Sequence, residues 1–220
     1  GSEEVPVLLT RGDHLPAATA AELGRLDPAR VVLFGGTGAI TEQVAGLIGT
    51  AADAPVTRLA GPNRYATAAA IAGEFTDPDV VYVATGQEFA DALAGAARAG
   101  ALDAPVLLVR SDHLPSATAT ALTALAPSQI RVLGGEGAVS ADVATALESY
   151  GTVTRIAGEN RYETAVAITA DYPSADTVYL ASGQQWPDAL AGGALAGATE
   201  QPLLLTKPVT IPSVIGTELQ

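Results

Sequence analysis

The chain has no cysteine and no methionine. Zinc–thiolate sites, disulfide frameworks and thiol catalysis are therefore excluded. Aromatic residues are scarce, at 5% of 220 residues, so the core has to be built from Ala, Val, Leu and Ile. Basic residues are few as well: 11 Lys and Arg face 24 Asp and Glu, a formal charge of −13. A field of that sign repels phosphate backbones and argues against nucleic acid as a partner. No apolar run reaches the roughly 18 residues of a membrane span, so no membrane partner is expected either. No signal peptide is seen, and Gly1-Ser2 reads as a tag remnant, so a native targeting segment is expected to have been removed. A total lack of cysteine fits a secreted protein of an organism that does not rely on disulfides, and a cytosolic protein equally.

What the chain does have is a repeat with a period near 98 residues. Arg58 to Ala72 reads RLAGPNRYATAAAIA and Arg155 to Thr169 reads RIAGENRYETAVAIT, with ten of fifteen positions identical at an offset of 97. GQEFADALAG from Gly86 returns as GQQWPDALAG from Gly183 at the same offset. DHLPAATA from Asp13 and DHLPSATA from Asp112 are 99 apart, as are the Gly-Gly loops at Gly35 and Gly134. Four ordered matches at nearly one spacing are not chance.

Each unit alternates strand and helix. Val80–Ala84, Pro105–Val109 and Ile130–Leu133 are short apolar runs rich in β-branched residues, as strands buried on both faces should be. Between them Ala68, Ile71, Ala72 and Phe75 keep helical spacing, as do Leu114, Ala117, Ala121, Leu122 and Leu125. Asn63 and Asn160 are helix N-caps, and Glu163 adds a capping-box acid. Thr41 and Ser140 cap the helices after the Gly-Gly loops, with Glu42 and Asp142 in the first turn. The fold class is α/β: tandem Rossmann-like repeats with mostly parallel sheets and helices on both faces.

The motifs resemble the bacterial cell wall binding repeat 2 family. The resemblance rests on Arg58, Ala60, Gly61, Arg64, Tyr65, Thr67 and Ala68, on Ala84-Thr-Gly86, and on Asp91-Ala-Leu-Ala94. Pro105-Val-Leu-Leu108, Gly134-Gly135 and Ala138-Val-Ser140 complete the first copy, and Arg155, Gly158, Arg161, Tyr162, Thr164, Gly183 and Asp188 mark the second. It covers almost the whole chain. In the family's frame, residues 1–57 are the second half of a repeat, 58–154 a complete repeat, and 155–220 the first half of a further one. The alternative frame has permuted units at 5–103 and 104–200 with a tail at 201–220. The resemblance implies non-covalent anchoring of a surface protein to a secondary wall polymer of a Gram-positive bacterium. Members usually carry three units around a pseudo-threefold axis, whereas about two and a quarter are counted here. The Ala-, Gly-, Asp- and Arg-rich composition reads as that of a high-GC actinobacterium.

The candidate ligand-binding residues are Arg58, Arg64, Tyr65, Asp91, Arg155, Arg161, Tyr162, Trp186 and Asp188. Arg64 and Arg161 open helices after an A-G-x-N turn, and a helix start with a guanidinium beside it suits an anion. The competing reading is an ion pair with Asp91 or Asp188 that holds two helix starts together. Arg58 and Arg155, one strand earlier, carry the same pair of readings. Asp91 and Asp188 suit a sugar hydroxyl or Ca²⁺, or else offset a helix dipole. Trp186, like Phe89 at the equivalent position, either stacks on a sugar ring or anchors the loop. His14 and His113, the two histidines, sit in the repeated D-H-L-P, where Pro and Asp at a helix start explain the motif without chemistry. No G-x-S-x-G elbow, G-x-G-x-x-G fingerprint or Walker lysine is present, so no catalytic residue, nucleotide or metal site is assigned.

The expected function is a non-catalytic module binding an anionic wall polymer or glycan, outside the cell on the wall. Its charge of −13 opposes a polyanion, though beyond about 8 Å at physiological salt most of that repulsion is screened. A locally positive cleft, Ca²⁺ bridging carboxylates to the polymer, and a neutral glycan each reconcile the two. The alternative function is a structural module of the surface layer that binds protein partners, itself included as a homo-oligomer.

Overall fold

The computed structural model describes residues 6–220, so Gly1-Ser2 lies outside the described residues. The first elements are α1 (Ala17–Leu26), β1 (Val31–Phe34), α2 (Glu42–Ala52) and β2 (Val56–Leu59). There follow α3 (Arg64–Ala72), β3 (Val80–Thr85), α4 (Ala90–Ala101), β4 (Val106–Val109), α5 (Ser116–Leu125), β5 (Gln129–Leu133), α6 (Ala141–Leu147) and β6 (Thr152–Ile156). The chain continues through α7 (Arg161–Thr169), β7 (Tyr179–Ser182), α8 (Trp186–Ala198), β8 (Leu203–Thr206) and α9 (Ser213–Glu218).

All strand pairs are parallel. The central sheet has the order β4-β3-β5-β6, flanked by two-stranded sheets β1-β2 and β7-β8. By sequence offset β1 and β2 repeat β5 and β6, while β7 and β8 repeat β3 and β4. Val81, Val83, Leu107, Ile130 and Val132 are wholly buried in the central sheet, which explains their β-branched and aliphatic identity. A Leu or Ile buried to that degree contributes roughly 1.5–3 kcal/mol. In the outer sheets the equivalent positions stand partly open. Leu133 on β5 has no exposure, whereas its counterpart Phe34 is 50% exposed. Val83 on β3 has none, and its counterpart Leu180 has 47%.

The caps fall where the sequence places them. Asn63 accepts from Ala66 N, Asn160 from Tyr162 N and Glu163 N, Thr41 from Val44 N, and Ser140 from Val143 N. Three expectations need correction. Helix α3 ends at Ala72, because the chain turns at Gly73, and Phe75 is not part of its apolar stripe. Glu163 does not bond the amide of its own cap residue; it accepts from Glu159 N and Asn160 Nδ2, while the Asn160 oxygen accepts from two helix amides. In the D-H-L-P segments the proline is itself the N-cap, in extended conformation at Pro16 and Pro115, and the aspartate pairs with its neighbouring histidine.

The helices α4 and α8 are repeat equivalents, and they cross each other closely. Gly100 and Gly197, at matching positions, come within 3.3 Å of where the other's Cβ would stand. On one side Leu93 and Ala97 of α4 pack with Ala189 and Ala196 of α8. The two copies thus meet at matching glycines, but the contact is not symmetric: Leu93 is covered by α8, whereas its counterpart Leu190 is exposed.

Candidate functional site

In parallel βα units the strands end, and the following helices begin, on one rim. Strand order reverses between β3 and β5, and open α/β sheets take ligands beyond the strand ends at such a point. Here the protein's own residues occupy it. Gly134, at φ +93, follows β5, and a side chain there would run into Asp91 Oδ2 from the start of α4. Burial raises the Asp91 carboxyl above the ordinary Asp value, opposed by the Arg161 charge and a hydrogen bond with Thr164.

The repeated arginines have structural partners. Arg58 Nη1 donates to Gly35 O and Arg155 Nη1 to Gly134 O, each at 2.7 Å, tying β2 and β6 to the Gly-Gly loops. Arg64 Nη1 donates to Gly86 O at 2.5 Å and Arg161 Nη1 to Gly183 O at 2.6 Å. The expected ion pair of these helix-opening arginines with Asp91 and Asp188 is replaced by bonds to loop carbonyls. A carbonyl at a fixed strand end is the nearer acceptor for a guanidinium one turn away. Two weaker charge contacts remain. Arg58 Nη2 lies 3.2 Å from Glu42 without hydrogen-bond geometry, and Arg161 Nη2 lies 3.9 Å from Glu88.

Tyr65 and Tyr162, each next to its arginine, lie against Gly86 and Gly183, where a side chain would strike the rings. The second ring also sits under Lys207 Nζ, 5.7 Å from the centroid. Trp186 is 49% exposed, and Asp188 and Leu190 beside it are exposed. Their equivalents Phe89, Asp91 and Leu93 are covered by the next unit: the Phe89 ring faces the Arg161 guanidinium, Asp91 meets Thr164, and Leu93 packs on α8. Arg64 is exposed while its equivalent Arg161 is half-buried, for the same reason.

Two features escaped sequence reading. A basic residue follows the P-x-L-L segment after one intervening residue in each copy: Arg11, Arg110 and Lys207. The signal was in the repeat itself, as LLTR, LLVR and LLTK. At the opposite rim, Arg131 bonds Tyr82 and Asp171, and Arg98 lies 4.4 Å over the Tyr172 ring while donating to Asp171 O. Burial pushes the Tyr172 phenol up to about 12. These partners are 40 to 74 residues apart and neither arginine recurs in another copy, so no spacing announces them.

The two rims differ in their share of the cations, although the strand-end rim also carries the acids of the helix starts, among them Glu42, Glu88, Asp91, Asp142, Glu163 and Asp188. Arg11, Arg58, Arg64, Arg110, Arg155, Arg161 and Lys207, seven of the eleven basic residues, belong to the strand-end rim. The opposite rim carries Asp27, Asp53, Asp77, Asp103 and Glu200, all with positive φ. Asp tolerates the left-handed backbone, and Asp27 and Asp53 use it to close α1 and α2. An open hollow of about 570 Å³, lined by Pro127, Ser128, Glu148, Gly151, Thr152 and Val153, also lies at that acidic rim, away from the arginines.

A repeated α/β scaffold whose strand-end crevice is filled from within, and whose cations gather on that rim, defines a surface-binding repeat module. Residues 58–144 and 155–218 both match the family described as Cell wall binding domain 2, and the chain belongs to it. It is a cell-wall-binding module. It is 34% identical over 205 residues to the N-acetylmuramoyl-L-alanine amidase LytC of Bacillus subtilis (strain 168), covering 93% of this chain and 40% of that protein. It is 36% identical over 156 residues to the Amidase enhancer of the same organism, covering 70% and 22%. Cwp6 from Clostridium difficile superposes with a TM-score of 0.93 at 27% identity, over 99% of this chain and 36% of that one. Cwp8 from the same organism gives 0.86 at 25%, over 97% and 38%. The chain therefore spans less than half the length of each.

Proposed function

We propose that this module holds a secreted surface protein on the wall by non-covalent binding of an anionic secondary wall polymer, without chemistry of its own. The observation that supports the reading is the gathering of cations on one rim of a −13 chain belonging to a wall-binding family. The likeness to LytC lies within 40% of that amidase, which fits a binding part separable from a catalytic one. Within the rim, Arg58, Arg64, Arg155, Arg161 and Asp91 shape the loops, while Tyr65, Tyr162, Trp186 and Asp188 present groups to a ligand. No cofactor is required by this reading. Retention on purified Gram-positive cell walls, before and after acid extraction of the polymer, tests it: walls that keep the polymer should retain the protein, and extracted walls should not. Equal retention on both would overturn it. EDTA should leave retention unchanged, and a loss on chelation would bring in Ca²⁺ bridging.

The exposed Trp186–Asp188–Leu190 face supports a second reading, in which the module assembles with another repeat of its kind. Its equivalents at Phe89, Asp91 and Leu93 already dock on a repeat within the chain. Sedimentation at rising concentration tests self-association, and a Trp186→Ala chain should lose any that occurs.

A further inference from the structure

We propose that the polymer's anionic groups are held by the basic residue that closes each P-x-L-L segment, namely Arg11, Arg110 and Lys207, and not by the repeated arginines. This rests on the wall-polymer reading above and names its contacts. The guanidinium groups of Arg58, Arg64, Arg155 and Arg161 each have one Nη committed to a loop carbonyl at 2.5–2.7 Å. Among the described residues the three closing cations make no such bond to a loop carbonyl.

Their placement agrees pairwise, the first copy with the second and the second with the third, although the segment before Arg11 forms no strand. Thr118 Oγ1 donates to Leu108 O at 2.6 Å, and Thr19 Oγ1 to Leu9 O at 2.8 Å, so the segments before Arg110 and Arg11 sit alike on their helices. Ser140 N donates to Ser111 O and Thr41 N to Gly12 O, tying the residue after each cation to the loop ahead of α6 and α2. Gly86 N donates to Val109 O and Gly183 N to Thr206 O, so Arg110 and Lys207 each emerge beside a glycine covered by a tyrosine ring. Each copy therefore offers a cation at the strand-end rim, and two copies offer a tyrosine next to it. A guanidinium or ammonium takes a phosphate or carboxylate, and a tyrosine face takes a sugar.

The copies differ in strength. Arg110 Nε lies 3.6 Å from Asp112, which also meets His113 Nδ1 at 2.9 Å. Asp13 meets His14 in the same way beside Arg11. In the third copy Val209 and Thr210 replace Asp and His, and among the described residues Lys207 forms no ion pair. Val209 there is 90% exposed. Lys207 is thus the cation least offset by its neighbours.

The experiment measures binding to purified Gram-positive walls at low and physiological salt, with acid-extracted walls as the control surface. The chain carrying Arg11→Gln, Arg110→Gln and Lys207→Gln should lose at least about tenfold in affinity and most of its salt dependence. Lys207→Gln alone should cost more than Arg110→Gln. Arg25→Gln with Arg30→Gln, on the acidic rim, should bind as the parent does. Thermal unfolding of each variant verifies the fold, and Arg11→Lys with Arg110→Lys should keep binding if the triple variant proves unstable. A triple variant that binds like the parent, while the parent distinguishes the two surfaces, overturns this assignment alone. A parent that binds both surfaces equally overturns the wall-polymer reading and this inference with it.

Discussion

Gly134 shows how much one hydrogen atom decides at the strand-end rim. Its φ of +93 is strained for any residue with a Cβ, and that Cβ would meet Asp91 and Ala138. Gly134→Ala should destabilise by roughly 1–3 kcal/mol, lowering Tm by several degrees, whereas Gly137→Ala, with open space around it, should be nearly neutral. Thermal unfolding of the two variants checks this. Asp91 itself titrates against the fold. Its carboxyl is raised above the ordinary 3.8 by burial, so its contribution to stability is complete below that pH and is lost as pH rises through the raised value. Asp91→Asn should therefore flatten the stability curve above pH 3.8. A variant curve parallel to the parent's over that range would contradict the burial account.

At the scale of elements, the crossing of α4 with α8 depends on small residues at matching positions. Gly197→Val should force the helices apart and cost roughly 1–3 kcal/mol, because its Cβ meets Ala97 O and Gly100 Cα at 3.3 Å. Gly192→Ala, on the same helix but with nothing within 4 Å, should be neutral or stabilising by about 0.5–1 kcal/mol. Chemical denaturation distinguishes the pair. The sheets differ in the same spirit. β3 is flanked by β4 and β5, whereas β1 has one partner and rests on the small cluster of Leu23, Leu33, Val44, Ile48 and Ala52. Amide exchange should be faster in Val31–Phe34 than in the equivalent Ile130–Leu133, and equal protection would mean the outer sheet is no weaker than the central one.

For the whole molecule, the net charge misleads about the surface that matters. Seven of eleven cations sit at one rim, while five acidic residues with left-handed backbone sit at the other. With a Debye length of about 8 Å a ligand anion at the strand-end rim senses the charges of that rim, cations interleaved with acids such as Glu42, Glu88 and Asp112, and little of the far one. Wall binding should consequently weaken as salt rises, although the protein is acidic. Neutralising Asp27, Asp53 and Asp103 should leave the affinity within about twofold at physiological salt. Binding that strengthens markedly in that variant would show the far charge still acting at the contact.

Periodicity and local chemistry made much of this readable before any coordinates. The two Asn caps, the strand at Val80, the parallel α/β order and the family's motifs all depend on residues within a few positions of one another, or on repetition at 97 to 99 residues. The fate of the arginines was not readable. Whether Arg64 meets a carboxylate, a ligand or the Gly86 carbonyl depends on where a loop 22 residues later returns. The same holds for Asp91 against Gly134, for the glycine crossing, and for the differing cover over Phe89 and Trp186. Those are distances between segments remote in the chain, and a repeat in sequence makes two units alike without saying which of their faces will meet.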